Sequence, residues 1–259
     1  MSAQPRLKPA RRMAGAAALP FHAQVRESLR ARILDGSWLP DQQLPSEHEM
    51  TALFAVSRIT VRQALQDLQN EGLIYRLHGK GTFVSRPHAT QDLMRLQSFG
   101  EAMRPLGYQT FNKLVSVREI APPATVAERM GAKRGTQVCE ITRVRFLNKE
   151  PVSLDISYFA LPIGRRLASQ DLTGRDLFVI LEQDLGLRLG HADMVIGSQL
   201  AEEGQARLLG LQPGAALLHV GRLTYDDKGH PLVCEHLFHR GDSYHYRLRV
   251  DRNVPSGAA

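Results

Sequence analysis

Leu44-Pro45-Ser46-Glu47-His48-Glu49, then Val56-Ser57-Arg58-Ile59-Thr60-Val61-Arg62-Gln63-Ala64-Leu65, then Leu73-Ile74-Tyr75-Arg76-Leu77-His78-Gly79-Lys80-Gly81-Thr82-Phe83-Val84 decide how the N-terminal part of this chain folds. Ser46 and Glu49 have the spacing of a capping box, in which the serine accepts from an orphan N–H and the glutamate reaches back. That predicts a short helix from Ser46 to about Phe54. Ser57 is the cap of a second helix whose buried stripe is Val61, Leu65 and Leu68, and Gly72 stops it. So little chain separates the two helices that they must form a tight helix-turn-helix. Two β-rich runs around His78-Gly79-Lys80-Gly81 then read as a hairpin with a basic tip, which is a wing. Arg58, Arg62 and Gln66 share a polar face of the second helix. Arg58 and Arg62 stand one turn apart, as guanidiniums must to reach guanine edges or phosphates. Thr60 suits a phosphate or a thymine methyl, and Lys80 a phosphate.

Upstream, Val25, Leu29 and Ile33 mark one stripe of a helix over residues 21–35, ended by Gly36. Residues 1–20 are rich in Ala, Arg and Pro without periodicity and are expected to be a disordered basic tail. The winged helix is expected over 21–85 and a polar linker over 86–95, with a second domain over 96–252 and a second tail over 253–259. The 259 residues carry a formal charge of +7, which favours an anionic partner without choosing among nucleic acid, membrane and metabolite. Within 21–85 acids and bases balance, so a basic face there comes from arrangement and not from excess.

Downstream, strands are expected at 111–121, 137–147, 152–161, 189–200, 216–225 and 232–239, with helices at 124–130, 177–185 and 202–209. Hairpins with a few helices give an α+β class around an antiparallel sheet. This half also contains a weak duplication. Ala127-Glu128-Arg129-Met130-Gly131 answers Ala206-Arg207-Leu208-Leu209-Gly210, Arg143 falls on Arg222, Pro151 on Pro231, and Asp155 on Glu235. If Leu147 pairs with Pro151 across a three-residue turn, Arg143 lies opposite Asp155, and Arg222 lies opposite Glu235. Two ordinary cross-strand ion pairs have this spacing, and so does a polar pocket at a pseudo-twofold junction. Arg145, on the same face as Arg143, favours the pocket, because two parallel guanidiniums suit a phosphate, phosphonate or carboxylate. Asp155 and Glu235 would accept from hydroxyl or amino groups of the same molecule, and Ser98 and Phe99 could close over it.

The motifs at 44–49, 56–65, 71–74 and 79–84 resemble the winged helix of the GntR family. Arg143-x-Arg145, the region of Tyr158, Leu209-Gly210-Leu211-x-Pro213-Gly214 and His239-Arg240-Gly241-Asp242 resemble the UTRA effector domain of its HutC subfamily, which has a chorismate-lyase-like fold. The resemblance implies a homodimeric regulator, usually a repressor, of a catabolic or uptake operon. It implies helix 57–71 in the major groove of double-stranded operator DNA and the wing at the minor groove. Family DNA contacts carry over to Arg58, Thr60, Arg62 and Gly79. The family usually places Arg where this chain has His48, and a neutral imidazole cannot make the bidentate contact to guanine. Tyr158 enters the expected effector site by resemblance alone, beside Ser98, Phe99, Arg143, Arg145, Asp155 and Glu235.

Other classes fit less well. Cys139 and Cys234 form no C-x-x-C, so buried thiols in a reduced cytoplasmic protein are expected. His236 and His239, three apart on a strand, point to opposite faces and suit no shared metal. No cofactor motif is present. No apolar run approaches the roughly 18 residues of a membrane span, and no signal peptide is expected. An enzyme with a chorismate-lyase-like domain targeted to DNA is the alternative, although no nucleophile stands beside a base.

Overall fold

The structure is a computed structural model and describes residues 19–86 and 88–250. The expected tails therefore lie almost wholly outside the described residues. The chain divides into two compact units between residues 87 and 88.

In the first unit, α1 (Phe21–Leu34) buries Val25, Leu29 and Ile33. It packs on α3 (Arg58–Asn70), which buries Val61, Ala64, Leu65 and Leu68. Each fully buried leucine contributes roughly 1.5–3 kcal/mol relative to exposure. Between them α2 (Glu47–Phe54) starts on the expected capping box, Ser46 accepting from the Glu49 N–H and Glu49 accepting from the Ser46 N–H. Ala55, in the left-handed region at φ 51°, makes the turn into the Ser57 cap of α3. The wing is β1 (Ile74–Leu77) paired antiparallel with β2 (Gly81–Val84).

The second unit begins with a departure from expectation. Inside the segment read as linker, β3 (Ala89–Asp92) pairs in parallel with β10 (Tyr244–Arg247), the last strand described. Both strands are four residues long, too short for an alternation to stand out. A short α4 (Phe99–Met103) follows, again on a capping box, from Ser98 to Glu101.

The main sheet has six strands in the order β4-β5-β6-β9-β8-β7. These are β4 (Thr110–Ile120), β5 (Val138–Leu147), β6 (Glu150–Ala160), β7 (Leu189–Leu200), β8 (Ala216–Asp226) and β9 (Pro231–Arg240), and all neighbours are antiparallel. The duplication is visible in that order. Each half runs strand, helix, strand, strand, with α5 (Ala124–Arg129) in the first and α8 (Glu203–Leu209) in the second, and β6 joins β9 at the centre. Two further helices, α6 (Leu161–Ala168) and α7 (Leu177–Gln183), cover one face around Ile141, Phe159, Ile180 and Leu181. The other face carries α5 over Val126, Val138 and Leu223, and α8 over Val144, Leu154 and Phe238.

The expected three-residue turn after Leu147 is a two-residue turn. Leu147 pairs with Glu150, and Asn148 and Lys149 both take positive φ, 51° and 77°. A bulge immediately follows, where Arg145 pairs with Ser153 and Phe146 with Pro151. The bulge adds back the residue that the shorter turn removes, so Arg143 still faces Asp155. The second hairpin bulges at the equivalent place, between Thr224 and Tyr225, and Arg222 faces Glu235.

Candidate functional site

On the first unit, Arg58 and Arg62 are both exposed along α3. The Ser57 hydroxyl accepts from the Thr60 N–H and lies 2.9 Å from the Thr60 hydroxyl, so Thr60 is tied to the cap of the helix. Gly79 and Lys80 sit at the tip of the wing. Gly79 has φ 71° and nothing within 4 Å of where a Cβ would stand, so its backbone is open to close approach. The Gln43 amide donates to the Lys80 carbonyl at 2.8 Å and holds the tip. Gly81 makes room for that clamp, since a Cβ there would come within 2.6 Å of the Gln43 nitrogen. Ile59 is a residue that sequence reading passes over: it is 81% exposed on the first turn of α3. A large aliphatic side chain so placed lies outside the core, and it is chemically suited to a thymine methyl. Its signal was present, as an apolar residue off the buried stripe.

On the second unit, alternation along the strands places Arg143, Arg145, Asp155, Glu235 and Arg222 on one face, together with Ser153, Ser157 and His239. All are buried. Arg145 donates through Nε to Asp155, and its Nη1, which has no hydrogen-bond partner, lies 3.6 Å from Asp176. Burial opposes its charge, but Asp155 and Asp176 hold the guanidinium above its ordinary range. The Asp155 carboxyl, also disfavoured by burial, is kept below its usual range by Arg145. Arg222 donates to Glu235 at 2.7 Å and lies over the Phe178 ring.

Arg143 is different. It is wholly buried, and none of its three side-chain nitrogens has a hydrogen-bond partner in the protein. Burial, helped by Arg145, brings its pKa down to about 10, so it remains charged at neutral pH. The duplication explains the orphan. Arg222 holds the acid opposite it, whereas the acid opposite Arg143 is taken by Arg145. A buried, charged and unsatisfied guanidinium is costly and is chemically ready for an anion.

Ser98 and Phe99 join this cluster. The Ser98 hydroxyl donates to Asp176, and the Arg145 guanidinium lies 5.5 Å from the Phe99 ring centroid. Tyr158 does not. Its even position on β6 turns it to the opposite face, among Val126, Val138 and Leu223. There burial, and then Glu140, push its hydroxyl up to about 12. The residues missed from sequence are Asp176, His239, Tyr244, Tyr246 and Gln91. Asp176 sits where a cap for α7 is expected, yet it makes no capping hydrogen bond. His239 stacks on Tyr244 at 3.7 Å, its Nε2 lies 3.0 Å from the Tyr246 hydroxyl, and its Nδ1 has no partner. Burial pushes its pKa down to about 3, so it is neutral. The Tyr244 hydroxyl donates to Gln91 at 2.6 Å. His236 lies on the other face against His219, as the spacing requires. Beside the cluster, a cavity of about 290 Å³ is lined by residues 91–97, Gly190, His191, Met194, Arg222 and Tyr246. Arg222, Tyr246, Gln91 and Gln97 line both this cavity and the small space under Phe99 and His239.

Among the described residues, no helix is long and apolar enough to cross a membrane. Comparison with known proteins finds the family of bacterial regulatory proteins called gntR over residues 21–84 and the UTRA domain over 106–245. The HTH-type transcriptional repressor NagR of Bacillus subtilis (strain 168) is 33% identical over 234 residues, covering 90% of this chain and 96% of its own length. The histidine utilization repressor of Pseudomonas putida is 28% identical over 233 residues, covering 90% and 93%. Among solved structures, PhnF from Mycobacterium smegmatis aligns at TM-score 0.69 with 26% identity, over 88% of this chain and all of the other.

Proposed function

The chain belongs to the GntR family of bacterial regulatory proteins and carries a UTRA effector domain, and from that premise we propose that it is a homodimeric repressor released from its operator by a small anionic metabolite. It is a DNA-binding transcriptional regulator, and its family comprises regulators and not enzymes, which sets aside the reading as a DNA-targeted enzyme. The histidine utilization repressor among its relatives supports control of a catabolic or uptake operon, and a cytoplasmic site of action is part of the same proposal. Arg58, Thr60, Arg62, Gly79 and Lys80 contact the operator, with Ile59 beside them. Arg143 and Arg145 take the anionic group of the effector, Asp155 and Glu235 accept from its hydroxyl or amino groups, and Ser98 and Phe99 cover it. The single observation that carries the effector site is the buried guanidinium of Arg143 with every nitrogen unsatisfied.

Operator binding measured with and without the effector, found by thermal-shift screening of phosphorylated and carboxylated metabolites, tests both halves. Arg58→Ala or Arg62→Ala is expected to cost roughly 1–3 kcal/mol per lost base contact. Joint replacement of Arg143 and Arg145 by Ala is expected to abolish the ligand response and leave ligand-free DNA binding intact. Gln at both positions serves if Ala prevents folding. A normal response from a folded double variant removes the effector reading, and wild-type affinity in both head variants removes the docking.

A further inference from the structure

The donors nearest Arg145 are already occupied by a carboxylate of the chain itself. Asp176 Oδ2 accepts from the Ser98 hydroxyl at 3.2 Å and from the Gly100 N–H at 3.1 Å, and it lies 3.8 Å from the Arg104 guanidinium. Its Oδ1 lies 3.6 Å from Arg145. A hydroxyl, an amide N–H and two guanidiniums form the donor set that a bound oxyanion takes. Gly100 admits the carboxylate, because a Cβ there would stand 2.2 Å from Asp176 Oδ2. Independently, Arg143 is fully buried beside this group without a partner of its own. The cluster thus holds three buried guanidiniums, Arg143, Arg145 and Arg222, against three buried carboxylates, Asp155, Asp176 and Glu235.

We propose that Asp176 sets the charge of the effector, reserving Arg143 for a singly charged carboxylate and excluding a doubly charged phosphate. The inference rests on the reading of Arg143 as the anion site. The cluster is already balanced, so each added negative charge faces Asp155 and Asp176 in a medium that screens poorly. One such charge is compensated by the unsatisfied N–H groups of Arg143. A second has only Arg145 Nη1, which faces the Asp176 carboxylate at 3.6 Å, and the Ser98 and Gly100 donors that Asp176 holds. A ligand carboxylate fits that limit, and an ammonium on the same molecule restores the balance through Asp155 or Glu235.

The test uses the full chain with acetate and inorganic phosphate as probes, near pH 8 where phosphate is largely a dianion. Affinities are read by calorimetric titration or thermal shift. Wild type is expected to prefer acetate by about tenfold or more, equivalent to 1.4 kcal/mol. Asp176→Asn, with Asp176→Ser as a second variant, is expected to strengthen phosphate binding by at least about tenfold, with a smaller change for acetate. Equal or tighter binding of phosphate by wild type overturns the inference, as does an unchanged phosphate affinity in both variants. Arg143→Gln separates the two readings. If it abolishes acetate binding while the Asp176 variants change nothing, the charge-setting role alone fails. If it binds acetate as wild type does, or if no form of the chain binds either anion, the anion site itself fails and this inference with it.

Discussion

His239 shows how much one buried side chain can report. Its imidazole is held neutral by burial, with its pKa down at about 3, whereas an unfolded chain protonates histidine near pH 6.5. Between those values the unfolded state carries the extra proton, so stability is complete above about pH 6.5 and falls as the pH drops toward 3. The slope from this group is at most about 1.4 kcal/mol per pH unit. His239→Gln is therefore expected to flatten the loss of stability between pH 6 and 4 in denaturant titrations. A variant with the wild-type slope would show that the ring is not held neutral. This residue was not legible as part of the site. In sequence His239 stood out by its distance from His236 and within the stretch 239–242 that resembles the UTRA domain, neither of which gave it a place in the site, and its burial depends on Tyr244 and Tyr246 from a strand that gave no signal. Arg143, Arg145, Asp155 and Glu235 were legible, because alternation and the duplication placed them on one face before any coordinates. Tyr158 came from resemblance alone, and the same alternation turns it away.

At the scale of elements, legibility followed periodicity and caps. The six long strands and α1, α2, α3, α5, α7 and α8 announced themselves through periodicity and caps. The turn after β5 did not, because a short turn and a bulge give the same register as a longer turn. Strand β3, strand β10 and helix α4 are too short for a period to show. Helix α6 is eight residues long and was hidden by Gly164, which weakens a helical reading. The structure gives Gly164 its purpose. A Cβ there would stand 2.0 Å from the Cys139 Cβ, so α6 lies on β5 closer than any side chain permits. Gly164→Ala is expected to lower stability by about 1–3 kcal/mol or more through overpacking, measured as a fall in Tm with an unchanged far-ultraviolet spectrum. An unaltered Tm would show that the helix can lift without cost.

For the whole molecule, the duplication is the organising fact, and offsets between the two halves revealed it. What the offsets could not give is the join between β6 and β9, a pairing between residues roughly eighty apart in the chain. Across that join the two halves keep the same geometry and differ in one charge pairing. Arg222 is satisfied by Glu235, and Arg143 is left over. Each half therefore serves as an internal control for the other, and the comparison separates fitness for folding from fitness for function. Arg222→Met leaves the buried Glu235 carboxylate without its ion partner, held only by the Ser157 hydroxyl, and is expected to cost roughly 3–5 kcal/mol. Arg143→Met removes a buried guanidinium that no hydrogen bond satisfies, although Asp155, Asp176 and Glu235 attract its charge, and it is expected to cost less stability than Arg222→Met while ending the ligand response. If both substitutions destabilise alike, Arg143 has a structural partner after all. If they diverge, the instability of the free protein at this position is the measure of what selection has kept for the ligand.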